Sequence, residues 1–300
     1  MYNPDFLYYI FSFILAGIYF VSSIGYGTLV WEKIFKYYNL SFKIPIYFIT
    51  GSFLRDICIF LSGTIFINKI SVCLFFLIGL FFFRTKFISE LKKYFIKNEF
   101  IYLFITFLII LISVIISIFP PVFFDFQSYH FYLPMHFLNL KKISMLDHIT
   151  HSLFFSYFHS GYLFFAAFGN YNSPLVLQII ICTLIVITGA EFMNKNIFIS
   201  FTTLLLTPFF FINIYTGNTD LITGLITCVS YSILLKDELL SNIEMLCASF
   251  ALLFIALFIK PINAFFLISA MIYLFLFKIQ LLKKNFKTIL ILFLAFIFCF

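Results

Sequence analysis

Charge is what this sequence has least of. Asp, Glu, Lys and Arg together make up 10% of its 300 residues, where a soluble domain carries about 25%. With a mean hydropathy of +1.11, the chain cannot clothe a globular surface in solvated groups. That excludes a soluble domain and leaves a polytopic membrane protein. Paired cysteine motifs are missing as well. Cys58, Cys73, Cys182, Cys228, Cys247 and Cys299 all lie in apolar runs without a C-x-x-C pair, so they read as small core residues in lipid. Sustained period-two alternation is absent, which excludes a β-barrel or a sheet domain. No internal repeat is detectable. The opening MYNPDF has no basic n-region, so the first apolar run is expected to be retained as a span.

What is present fits that class. The formal net charge of +7 reflects basic cytoplasmic loops rather than a nucleic-acid surface. The 50 phenylalanines, with abundant Ile, Lys, Asn and Tyr, match what an AT-rich coding sequence produces, so aromatic clusters carry little functional weight. Apolar segments long enough to cross a bilayer as helices lie near 6–30, 46–67, 70–86, 100–119, 173–190, 197–215, 220–235, 243–259 and 261–277, with a last one from 287. The expected fold is an all-α polytopic bundle of about nine or ten transmembrane helices with an external loop of interfacial helices. Residues 1–99 form a three-span extension and 100–300 the main membrane module. The closing KTILILFLAFIFCF supplies only about 20 Å of helix against a hydrocarbon core of about 30 Å. A partial final helix, or a fragment of a longer chain, is expected.

Orientation follows from the connectors. Lys33, Lys36 and Lys43 follow the first span; Arg84, Lys86, Lys92, Lys93 and Lys97 follow the third; Lys195, Lys236 and Lys278, Lys283, Lys284 and Lys287 come later. Placing all of them inside satisfies the positive-inside rule and puts residues 120–172 outside. This requires that 153–169, LFFSYFHSGYLFFAAFG, does not cross. Ser152, Ser156, His159 and Ser160 form one polar stripe on an otherwise aromatic helix, the pattern of a helix lying in the interface. A second short helix is expected near 134–141, with Pro134 tolerated in its first turn.

The external loop holds all five histidines, His130, His136, His148, His151 and His159, and the acid Asp125 just past Pro120–Pro121. Asp220 opens a later span within TGNTDLITG, and Lys260 closes another directly before Pro261. Acids held beside a bilayer are costly and therefore candidate functional groups, although a solvated boundary residue has the same sequence appearance. His148, His151 and His159 have helical spacing, but neither an H-E-x-x-H nor a nearby cysteine supports zinc. Arg55 and Asp56 lie inside the second span, where they are expected to neutralise each other or face the bundle interior. Glu191 reads as a boundary residue.

The order FFDFQSYHFYLPMHFLN, SGYLFFAAFGNYNS, TPFFFINIYTGNTDLITGLIT and IALFIKPINAFFLIS resembles the GT-C superfamily of membrane glycosyltransferases. The similarity is to bacterial relatives of protein O-mannosyltransferases and of lipid A aminoarabinose transferase, and covers roughly 100–278. It implies inverting transfer of a hexosyl or pentosyl group from a polyprenyl-phosphate sugar to an extracytoplasmic acceptor in the cell envelope, in the bacterial inner (plasma) membrane. Asp125 matches the family's loop acid and is the implied catalytic base. His130, Tyr129, His159 and Lys260 are the candidate substrate-binding residues, with Lys141 and Lys142 as further cations for the leaving phosphate. A divalent metal, Mg or Mn, could be held by Asp125 and Asp220. Where many relatives carry an acidic pair, Asp125 is followed by Phe126. A non-enzymatic glycolipid translocator and a catalytically lapsed membrane component remain the alternatives.

Overall fold

The computed structural model describes residues 6–34, 43–83, 130–146, 157–192, 219–236, 243–279, 283 and 290, and they are all-α. The expected spans at 100–119, 197–215 and from 287, and the proposed division near residue 99, lie outside the described residues. The chain forms two compact units, Met1–Leu221 and Ile222–Phe300.

The first unit opens with α1, Phe6–Ile34, and α2, Lys43–Gly63. Both are long and apolar enough to cross a membrane, since about 20 apolar residues suffice. Helix α2 stops at Gly63, short of the expected end at 67. The stop has a local cause: Asn68 caps α3, Lys69–Phe82, through a reciprocal box in which Asn68 Oδ1 accepts from Ser71 N–H at 2.7 Å and Ser71 Oγ accepts from Asn68 N–H at 2.9 Å. The three helices pack with almost no side chain between their backbones. A Cβ on Gly25 would overlap the carbonyl of Gly79, and one on Gly51 would overlap that of Ser23. Small residues that let backbones meet are how helices associate where lipid removes the hydrophobic drive.

Helix α4, Tyr132–Leu140, and α5, Tyr157–Ala167, follow. Pro134 sits in the first turn of α4, as expected. Both helices end in the same two-bond motif. In α4, Lys142 N–H donates to Phe137 O at 3.2 Å and Lys141 N–H to Leu138 O at 3.3 Å. In α5, Asn170 N–H donates to Phe165 O at 3.1 Å and Gly169 N–H to Ala166 O at 3.0 Å. The left-handed residue is Gly169, φ 64°, in one and Lys141, φ 57°, in the other. At roughly 16 Å, α5 is too short to cross a bilayer core. It differs from a helix lying on a surface, because all its residues are buried. Its contacts run to α1, α2, α3 and α4 and to α6, Ser173–Phe192.

Hydrogen bonds tie the chain after α4 and α5 to one end of this unit. Ile67 N–H donates to Lys141 O at 2.8 Å and Ile143 N–H to Gly63 O at 2.7 Å. Tyr171 N–H donates to Tyr8 Oη at 2.9 Å, and Ser12 Oγ to Asn170 Oδ1 at 3.0 Å. The start of α1, the α2–α3 turn and the segments 141–143 and 170–173 therefore share one end.

Helix α7, Asp220–Leu234, begins at the unit boundary. In the second unit its later turns pack with α8, Ile243–Ile259, and α9, Ala264–Phe277, around Leu234, Phe250, Leu253, Leu267 and Leu274. Ser230 and Ser249 exchange hydroxyl bonds to each other's carbonyls at 2.9 and 3.1 Å. Large apolar side chains cover the outside of both units, among them Ile78 and Phe81 on α3 and Phe265, Ile268 and Phe275 on α9. Contiguous apolar surface of this kind fits contact with acyl chains.

The glycine contacts yield a stability test. Gly25→Leu must push α3 away and should destabilise the purified protein by about 1–3 kcal/mol or more. Gly17→Leu, where nothing lies within 4 Å, should leave the thermal midpoint in detergent nearly unchanged. Equal effects of the two would refute the close packing.

Candidate functional site

Sequence placed two charges, Arg55 and Asp56, in the middle of an apolar helix, and both are fully buried. They form an ion pair in which Arg55 Nη2 lies 2.8 Å from Asp56 Oδ1 and Nε donates to the same oxygen at 2.8 Å. Arg55 Nη1 donates to Tyr19 O and Ser23 Oγ, each at 3.0 Å. The guanidinium lies between two rings, 3.9 Å from the centroid of Tyr19 and 4.0 Å from that of Phe76. Tyr19 Oη donates to the other carboxylate oxygen, Oδ2, at 2.7 Å. The two charges are thus paired inside the protein and the guanidinium is held between π faces.

Helix α5 docks on this cluster. Ser160 Oγ donates to Asp56 O at 2.5 Å. Gly161 faces the carboxylate so closely that a Cβ would stand 2.5 Å from Oδ2 and 2.7 Å from Tyr19 Oη. Phe164 stacks on Phe76 with ring centroids 4.0 Å apart, and Gln178 of α6 donates to Tyr162 Oη at 2.9 Å.

That docking carries His159 to His130. His130 lies two residues ahead of α4, His159 lies in the first turn of α5, and both are buried. Their rings are inclined by 25° with centroids 4.6 Å apart, and Nδ1 of His130 meets Nε2 of His159. Two of the candidate substrate-binding residues are therefore brought into direct contact. An imidazole can donate at one nitrogen and accept at the other, so the two rings together can hold and pass a proton.

Asp125 and Tyr129, like His148, His151 and Ser156, lie outside the described residues. Asp220 is half-buried in the first turn of α7, where the helix dipole favours a carboxylate. Lys260 is half-buried in the second unit. Its extended backbone, φ −143°, is the conformation required before Pro261. Asn263 Nδ2 secures the turn by donating to Ala256 O at 2.8 Å. Lys141 and Lys142 are exposed at the end of α4. Among the described residues no group of three or more His, Cys, Asp or Glu could hold a metal ion.

The residues that sequence reasoning passed over are Tyr19, Ser23, Phe76 and Gly161. Adjacent opposite charges inside a span signal a buried cluster, but nothing local names its partners. The architecture defines an all-α protein with two membrane-length apolar helices among its described residues. Comparison with models of protein families, with curated proteins and with solved structures finds no match.

Removing one member of the ion pair strands a buried charge. Asp56→Asn should destabilise the protein by about 3–5 kcal/mol, whereas Arg55→Met with Asp56→Leu should recover most of that loss. Denaturation in detergent would measure both. A single Asp56→Asn change that leaves stability intact would show that the cluster does not hold the bundle.

Proposed function

We propose that this protein is an integral-membrane glycosyltransferase that moves a sugar from a polyprenyl-phosphate carrier to an acceptor at the outer face of a bacterial plasma membrane. In this reading about nine or ten helices cross the bilayer, and residues 120–172 are external. The observation that carries it is the folding of the loop that bears Asp125. The described parts of that loop, 130–146 and 157–172, are anchored to one end of the α1–α3 bundle and bring together His130 and His159. A structured loop beginning a few residues after an acid at a membrane boundary is suited to surface chemistry on a lipid-linked substrate.

The chemistry assigned to the loop is simple. The Asp125 carboxylate accepts the proton of the acceptor hydroxyl as its oxygen attacks the anomeric carbon from the face opposite the phosphate, inverting that carbon. The carrier phosphate leaves with the bonding electron pair, and the exposed cations Lys141 and Lys142 are available to stabilise its charge. Asp125 and Asp220 supply the hard oxygen donors that Mg or Mn takes, and the reading routes no step through a metal.

Two experiments test it. Cysteines substituted at Lys142 and Arg84 should be labelled from opposite sides of sealed vesicles; labelling from one side would refute the topology. Asp125→Asn keeps size and removes basicity, so sugar transfer from a polyprenyl-phosphate donor should fall by about 10²–10⁴ with expression unchanged. A variant as fast as the parent removes Asp125 as the base, and a parent that transfers sugar from no such donor overturns the function.

A further inference from the structure

We propose that His130 and His159 form one buried proton-binding site, which holds a single proton between the two rings and comes apart when a second is forced on it. The inference rests on the geometry of α4 and α5 and does not depend on sugar transfer. Nδ1 of His130 and Nε2 of His159 face each other. Of two facing ring nitrogens, one must donate and the other accept, so one N–H serves both. With both rings neutral overall, the pair is a hydrogen-bonded couple. One added proton makes an imidazolium that still donates to its neutral neighbour, or leaves the neighbour donating elsewhere. Two added protons set N–H against N–H and two positive charges within about 5 Å, away from water, where repulsion is strong.

The described groups packed around the pair are these. Tyr162 on α5 meets His159 edge-on, with centroids 6.3 Å apart and planes at 88°, and its hydroxyl accepts from Gln178 of α6. Tyr157 lies further back on α5 against Phe53 of α2. From α2 the nearest charges are Arg55 and Asp56, which neutralise each other, and α1 adds Tyr19, already donating to Asp56. On α4 itself His136 stacks on Tyr132, and Lys141 and Lys142 are exposed cations that add repulsion. From α3, Phe76 faces α5.

Because His130 lies two residues ahead of α4 and His159 lies in the first turn of α5, parting the rings loosens the contact between these helices. The site therefore couples proton uptake to the packing of the segment that follows Asp125 in sequence.

The test is a pH titration of the full chain in nanodiscs with ¹⁵N-labelled histidine, read by the imidazole nitrogen shifts. The expected result is two coupled steps separated by more than about one pH unit, both seen at His130 and His159 together. In His159→Gln, the His130 signal should follow one simple curve. If that variant does not fold, His130→Gln gives the reciprocal reading at His159. Independent curves for the two rings, each centred near the ordinary imidazole value of about 6.5, would overturn the proposal. So would loss of both titrations on adding micromolar Zn²⁺, which would make the pair a metal site. Because the readout is not turnover, failure here leaves the transferase assignment standing, and the converse also holds.

Discussion

A guanidinium and a carboxylate, adjacent in sequence and sealed inside an apolar bundle, set the terms for the rest of the first unit. Neither charge is tolerable alone in that environment, and even together they need support from the groups around them. Arg55 and Asp56 meet that condition only when α1 brings Tyr19 and Ser23, α3 brings Phe76, and α5 presents Ser160 and a glycine without a side chain to obstruct the approach. Four helices converge because one ion pair cannot be left partly solvated. The pair gives the bundle a register that apolar packing alone would specify weakly.

The consequence reaches the loop that carries the histidines. Ser160 and Gly161 adjoin His159 in the chain, so the contacts that satisfy Asp56 also fix where that imidazole stands. His130 arrives from the other side, ahead of α4, whose far end is hydrogen-bonded to the α2–α3 turn. The loop is thus ordered from both of its described flanks by bonds to helices, and a buried pair of titratable rings lies at their junction. Under the proposed transferase function, such order has an evident use. Binding energy can be directed to positioning the reacting groups rather than to folding the loop.

Much of the architecture was legible in the chain. Length and hydropathy located α1, α2, α3, α8 and α9 to within a few residues, because an apolar run of membrane length has few structures open to it. The polar stripe through His159 and Ser160 marked a helix at 153–169, and α5, Tyr157–Ala167, lies within that range. Its environment was not legible. An interfacial helix and one enclosed among neighbours share the same periodicity, and the difference lies in what meets the polar face. Helix α5 is enclosed where Ser160, from the stripe, and its neighbour Gly161 are small enough for Asp56 to approach.

The site divides along the same line. Sequence alone determined which residue types were available: one acid after a span, histidines in the following loop, and an Arg–Asp pair where charge is costly. It also determined that the Arg–Asp pair must be neutralised internally, which follows from the dielectric of a helix core whatever the fold. Only the tertiary structure decided that Tyr19, Ser23 and Phe76 would complete that pair, and that His130 and His159 would touch. Those partners come from separate helices, and contacts across such separations leave no periodic trace in a single chain. They are set when backbones close to glycine contact and each buried polar atom takes the partner that packing leaves within reach.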